Sequence, residues 1–132
     1  MRAIVPPSVQ VFERLAQQTI LSLPAHFREQ LCDVVVKIEE FASSRQLEAV
    51  GVESKWNLSG LYEGRPLPDH TIWESGRMPP VISLFRQPLL AEMYQTGVGL
   101  EELVRHVVIH EAGHHFGFSD NEMHALERQV DK

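Results

Sequence analysis

The chain has 132 residues, 43% of them hydrophobic and 23% charged, which bounds it to one ordinary globular domain. Its formal charge is −6 with no lysine or arginine cluster, so it lacks the usual surface for tracking phosphates and no nucleic-acid partner is expected. The longest apolar runs, Val34 to Val36 and Val107 to Ile109, are far too short to cross a bilayer, so no membrane partner is expected.

The opening "MRAIVPPSVQ" breaks at Pro6-Pro7 before any long apolar stretch, so no secretory signal is expected. Cys32 stands alone, which excludes a disulfide framework within the chain and points to a reducing, cytoplasmic setting. Ser8 is a predicted N-cap; Val9, Phe12, Ala16, Ile20 and Leu23 then recur near the helical period until Pro24, and "AHFREQ" adds a turn. "DVVVKIEEF" is a β-branched run and predicts a strand. "SSRQLEAVG" predicts a short helix with a serine cap, closed by Gly51. "WNLSGLYEGRPL" predicts two strands around a Glu63-Gly64 turn. The proline-rich "PDHTIWESGRMPP" predicts a loop, and "VISLF" a further strand.

Pro88 is the expected first helical residue of "PLLAEMYQTG", closed by Gly97. Gly99 then opens the longest helix signal, with Leu100, Leu103, Val104, Val107, Val108, Ala112 and Phe116 covering most of its circumference. A helix so apolar is central. It ends at Gly117, where glycine suits a left-handed cap, and a last amphipathic helix starts at Ser119 or Asp120. Helices gathered around a small, mostly antiparallel sheet make the expected class α+β.

The central helix carries "IHEAGHHFGFSD". His110 and His114 are four apart, so on a helix they lie about 40° apart around the axis, one turn above the other. Two imidazoles so arranged can point at one ion. Glu111 is rotated about 100° from His110, clear of ligation yet within reach of a water at that ion, which is the H-E-x-x-H pattern with glutamate as general base. Zinc needs a third protein ligand and one open position. Gly117 reverses the chain, and Asp120 is the carboxylate that this reversal can bring back, giving H-E-x-x-H-x-x-G-x-x-D. A shuffled chain of this composition would contain H-E-x-x-H about 4% of the time, and the full pattern in roughly 1 of 10,000 cases. The bland alternative, an ordinary buried helix end, also leaves an ionised Glu111 in apolar surroundings at a cost of several kcal/mol.

These residues resemble the zincin metallopeptidases, with the metzincin spacing and aspartate as third ligand. "GLYEGRPL", "ISLFRQPLL" and "EELVRHVVIHEAGHHFG" are similar to the small bacterial zincin-like metallopeptidases, a likeness covering most of residues 58 to 120. It implies a minimal zincin core in which the motif helix packs on a small sheet, with one Zn²⁺ expected per chain. It supplies no substrate; the small scaffold by itself points to a shallow, open cleft and a peptide or unfolded protein as partner. It also implies an edge strand that holds an extended peptide by main-chain hydrogen bonds, for which "VISLFRQ" is the expected segment, testable by Ser83→Pro. The chain departs from its larger relatives. Met123 lies only three past Asp120, too early for a metzincin Met-turn, and only Glu122 and Glu127 follow the motif where a gluzincin takes its glutamate.

The expected activity is zinc-dependent peptide-bond hydrolysis by a metal-activated water, with His110, His114 and Asp120 as ligands and Glu111 as catalytic base. Two alternatives stay open at this point. One is a zinc-containing binding module without catalysis, against which Glu111 argues because a structural zinc has no need of it. The other is a zinc ribonuclease: a bacterial rRNA-maturation family has histidines at the spacing of positions 110, 114 and 120. Asp120, Glu111 and the acidic charge all disfavour it. Among the other polar residues, His106 continues the ligand stripe one turn earlier and is expected behind the metal or in the core. His115 is expected as a partly exposed neighbour of the helix cap. His124, Tyr94 and Arg86 are candidate donors to a developing oxyanion. Tyr62 is expected to pack beside a hairpin, Cys32 to be a small buried hydrophobe, and Trp56 and Trp73 to anchor core or loops. His26 and His70 have no partner pattern.

Overall fold

A computed structural model describes residues 5–64 and 79–130, the side chains of Asp120 and Val130 excepted. The first helix, α1 (Val9–Ser22), starts where the Ser8 side chain accepts a hydrogen bond from the Val11 N–H, and it buries Phe12, Ala16 and Thr19 along one face. Pro24 ends its run and begins the short α2 (Ala25–Gln30). Strand β1 (Val35–Glu39) follows, then α3 (Ser44–Val50). Ser43 and Gln46 cap α3 reciprocally, and Gly51 closes it at φ 70°, a left-handed conformation that costs glycine little.

Lys55–Asn57 form a 3₁₀ turn, so the predicted first strand of the hairpin is shorter than expected and begins at β2 (Gly60–Glu63). Its predicted second strand after Gly64, and most of the predicted loop with His70 and Trp73, lie outside the described residues. Strand β3 (Val81–Phe85) runs directly into α4 (Arg86–Thr96). Pro88 therefore sits in the first turn of α4, two residues inside its start, where a missing N–H breaks no helical bond. Then come the central α5 (Leu100–Phe116) and α6 (Asp120–Val130).

The sheet order is β1-β3-β2. β1 pairs with β3 in parallel, Val35 opposite Val81 through Glu39 opposite Phe85, whereas β2 pairs with β3 antiparallel, Gly60 opposite Leu84 through Glu63 opposite Val81. The α+β class is as expected; the sheet itself is evenly mixed, because β1 reaches β3 through a long crossover and not through a hairpin.

Alternation assigns the two faces of the sheet. Ile82 and Leu84 point to the main core, where fully buried Phe12, Leu89, Val104, Val108 and Ala112 meet them. Leu61 and Phe85 point the other way, into a smaller cluster with Ala42 that α3 covers through Leu47. α5 packs against α1, α4, α6, β2 and β3, which is why its apolar residues cover most of its circumference. Cys32 is exposed, against the expectation of a buried hydrophobe, because it falls in the turn between α2 and β1. Trp56 anchors a loop, half exposed, with its ring edge-on to Phe41 at 4.8 Å. No helix among the described residues is long and apolar enough to cross a membrane.

Candidate metal centre

α5 brings the motif together in its last two turns. His110 is partly buried, Glu111 buried and His114 exposed, and one potential ligand atom from each lies within 4.8 Å of the others. The two imidazoles meet edge to face, with ring centroids 4.9 Å apart. Atoms each about 2 Å from a single zinc ion are at most about 4 Å apart, so small side-chain rotations bring the pair of nitrogens onto one ion. The donor set, two imidazoles with a carboxylate beside them, suits zinc chemistry. The residues present fit the metal.

Glu111 is 8% exposed although it carries a carboxylate. Burial pushes its pKa up to about 7, and a hydrogen bond from the Tyr62 main chain works in the opposite direction. The ladder explains that bond. Ser59 accepts from the Phe85 N–H at 2.9 Å, so in the antiparallel alternation Leu61 and Glu63 also face β3, while Gly60 and Tyr62 turn their main-chain groups outward. The Tyr62 N–H thus leaves the sheet on the side where Glu111 stands.

Two close approaches fix the surroundings of the helix. At Gly60 a Cβ would stand 2.3 Å from Val107 Cγ1 and 3.6 Å from Glu111 Cγ, so only glycine lets β2 lie this near α5. At Gly113 a Cβ would stand 2.5 Å from Met123 Cγ, so α6 crosses directly over the motif helix. Gly117, at φ 76°, makes the reversal between them, and Phe118 N–H bonds back to the Gly113 carbonyl at 2.9 Å. Ser119 and Glu122 cap α6 reciprocally at 3.3 and 3.1 Å. Asp120 therefore opens α6 immediately after the reversal; its side chain lies outside the described residues.

A family model for zincin-like metallopeptidases matches residues 31–130. The chain belongs to this family. No curated protein matches it. In this zincin-like chain the match takes in all three strands, α5 and α6, and so covers the whole of the motif and its surroundings.

Other expectations resolve against this zincin-like frame. "VISLFRQ" is not an edge. β3 is the central strand, bonded on both sides, and Ser83 is buried at its middle. Burial of Ile82, Ser83, Leu84 and Phe85 in succession is the mark of a strand covered on both faces, whereas among the described residues the outer strand beside Glu111 is β2. His115 is not a partly exposed cap neighbour but 1% exposed, its Nδ1 2.7 Å from the Tyr62 hydroxyl and its Nε2 3.2 Å from the Gln30 carbonyl oxygen. Tyr62 accordingly does more than pack, and desolvation raises its phenol pKa to about 12. The sequence offered no signal for this pair, because residues 62 and 115 are joined only by the fold.

His106 is exposed, with Nδ1 2.7 Å from Glu127 Oε1 on α6 and its ring stacked 6.3 Å from that of His110. Arg86 is held by Glu40 at 2.9 Å and by the Pro7 carbonyl, which directs it away from the motif. Tyr94 points into solvent from α4. His124 is an exposed residue of α6, and His26 lies against the Phe27 ring at 4.0 Å.

Proposed function

We propose that this chain is a zinc-dependent peptidase in which His110, His114 and Asp120 hold one metal ion and Glu111 is the general base. The observation that carries the reading is the convergence of His110, Glu111 and His114 within 4.8 Å, in a family whose members are zincin-like metallopeptidases. Support for Asp120 comes from its neighbours. The glutamates that follow the motif have other partners, Glu122 in the cap of α6 and Glu127 on His106, whereas Asp120 opens α6 directly after the Gly117 reversal.

When bound, zinc supplies Lewis-acid charge to the attacking water and to the scissile carbonyl. Glu111 takes the proton of that water on its carboxylate and hands it to the leaving amine nitrogen. Burial, which raises the proton affinity of this carboxyl in the metal-free protein, favours its taking up the proton. The buried setting that raises it also excludes competing water. The substrate's main chain pairs along the edge that β2 presents among the described residues, where Gly60 turns its N–H and C=O away from β3. The single exposed thiol, Cys32, suits a reducing compartment, and the reading includes a cytoplasmic location.

The test combines metal content of the purified protein with cleavage of a diverse peptide library by wild type, Glu111→Gln and Asp120→Ala. One zinc per chain is expected, with turnover lowered by about 10²- to 10⁴-fold in Glu111→Gln while zinc is retained, and zinc weakened in Asp120→Ala. Undiminished cleavage by Glu111→Gln refutes the base. Zinc without cleavage in the wild type makes the chain a binding module.

A further inference from the structure

We propose that Tyr62 and His115 are a positioning pair that fixes the Glu111 carboxylate beside the metal-ligand histidines, acting through strand β2. The inference rests on Glu111 being the base of a peptidase and adds the residues that aim it.

Glu111 and His115 are four apart on α5, so they share a stripe of the helix adjacent to the 110/114 stripe. Tyr62 engages both of them. Its hydroxyl lies 2.7 Å from His115 Nδ1, and its main-chain N–H, turned outward by the alternation of the ladder, bonds the Glu111 carboxylate. One residue of β2 is thus held at two points to two successive turns of α5.

The hydrogen bonds have a fixed direction. The Gln30 carbonyl can only accept, so in the neutral ring Nε2 of His115 carries the hydrogen and Nδ1 accepts from the Tyr62 hydroxyl. His115, at the middle of this chain of hydrogen bonds, is buried between a half-buried Tyr62 and the Gln30 carbonyl, and the phenol and imidazole rings lie 5.4 Å apart. It ties β2 through α5 to the end of α2.

The rest of β2 does little to set its position along the helix. Gly60 meets Val107 without a side chain of its own, and Glu63 points to the opposite face of the sheet. Gly64 closes over the phenol, where a Cβ would stand 2.9 Å from the Tyr62 oxygen. Loss of the Tyr62–His115 bond therefore loosens β2 against α5 within the limits set by its ladder with β3, and the donor that orients Glu111 moves with it. A base aimed at a water loses rate when misaligned by fractions of an ångström, without any change in what binds.

The test uses Tyr62→Phe, His115→Leu and His115→Asn in the full chain. Asparagine offers Oδ1 near the position of Nδ1 and can accept the tyrosine hydroxyl, whereas leucine cannot. Tyr62→Phe and His115→Leu are each expected to lower kcat about tenfold with KM and zinc affinity unchanged, their combination to be no worse, and His115→Asn to recover most of the loss. A second readout is independent of turnover. Amide hydrogen exchange at residue 62, measured with and without zinc under conditions where it exchanges by local opening, is expected to quicken about tenfold in Tyr62→Phe and His115→Leu, whereas the core amides of α5 follow only the change in global stability. A fall in Tm with kcat and residue-62 exchange unaltered would reduce the pair to a structural contact and overturn the proposal. If Tyr62→Phe does not fold, His115→Asn against His115→Leu carries the same comparison. If wild type cleaves no peptide, the peptidase reading fails, and exchange at residue 62 still decides whether the pair holds that main chain against Glu111.

Discussion

His114 and His115 are neighbours in the chain and occupy opposite environments. His114 is exposed beside His110, while His115 is almost wholly buried between a tyrosine hydroxyl and a backbone carbonyl. A rotation of about 100° around α5 separates the two. Residue type alone therefore says nothing about the work of a histidine here; the element packed against its side of the helix decides it. His106 makes a third case, exposed at the surface with Glu127 as its hydrogen-bond partner and its ring stacked on that of His110.

Substitution of each histidine tests this contrast. His114→Ala is expected to lower zinc affinity by more than about 100-fold, beyond what residues behind metal ligands usually contribute, and to leave the zinc-free fold nearly unchanged in thermal unfolding. His115→Leu is expected to do the reverse, lowering stability by about 1–3 kcal/mol because the Tyr62 hydroxyl and the Gln30 carbonyl lose their partner, with zinc affinity kept. Equal losses of zinc from both variants, measured by competition with a chelating dye, would erase the distinction.

The pH dependence of the metal-free protein sharpens it from the side of Glu111. This carboxyl titrates near 4.5 when unfolded and near 7 in the fold, so between those values the folded state holds a proton that the unfolded chain has released. Stability is then greatest below pH 4.5 as far as this group is concerned, and it falls by up to about 3 kcal/mol as pH rises through 7. Denaturant titrations of metal-free wild type and Glu111→Gln should diverge across that window, the variant lacking this part of the slope. Parallel curves would mean that burial does not shift the group.

Gly113→Ala is expected to act on the same stripe more gently. The added methyl group meets Met123 and displaces α6, so zinc affinity falls about tenfold through position 120, while alanine's helix preference offsets the stability cost to within about 1 kcal/mol. Smallest of all, His106→Gln should change stability by less than about 1 kcal/mol and leave zinc affinity alone, as an exposed ion pair implies. A large loss of zinc in that variant would move His106 into the metal centre.

Much of this arrangement was legible in the sequence where a local rule suffices. The spacing of His110 and His114 follows from the helical period, and Ser8, Gly51, Gly97 and Gly117 mark element ends by capping chemistry. The expectations that failed all depended on which elements meet. Nothing local in "VISLFRQ" tells an edge from a central strand, and only its pairing with both β1 and β2 makes β3 central. Burial is the usual expectation for a lone thiol, yet Cys32 falls on an exposed turn. His115 looked polar and near a helix end, and only the approach of β2, permitted by Gly60, encloses it. The contact of Gly113 with Met123 is equally non-local: each is an ordinary helix residue until α6 folds back.

Among the described residues the outer edge of β2 is only four residues long, with Gly60 and Tyr62 turned outward and the Tyr62 N–H already engaged by Glu111. On the proposed reading, a ladder so short gives a guest chain few main-chain bonds and little to fix its register, so a bound peptide would shift by two residues and present the next bond at small cost. Encounters would then be brief and repeated, and the choice of cleavage point would pass from the grip of the edge to the chain presented, with stretches already extended and unpaired favoured over any particular sequence.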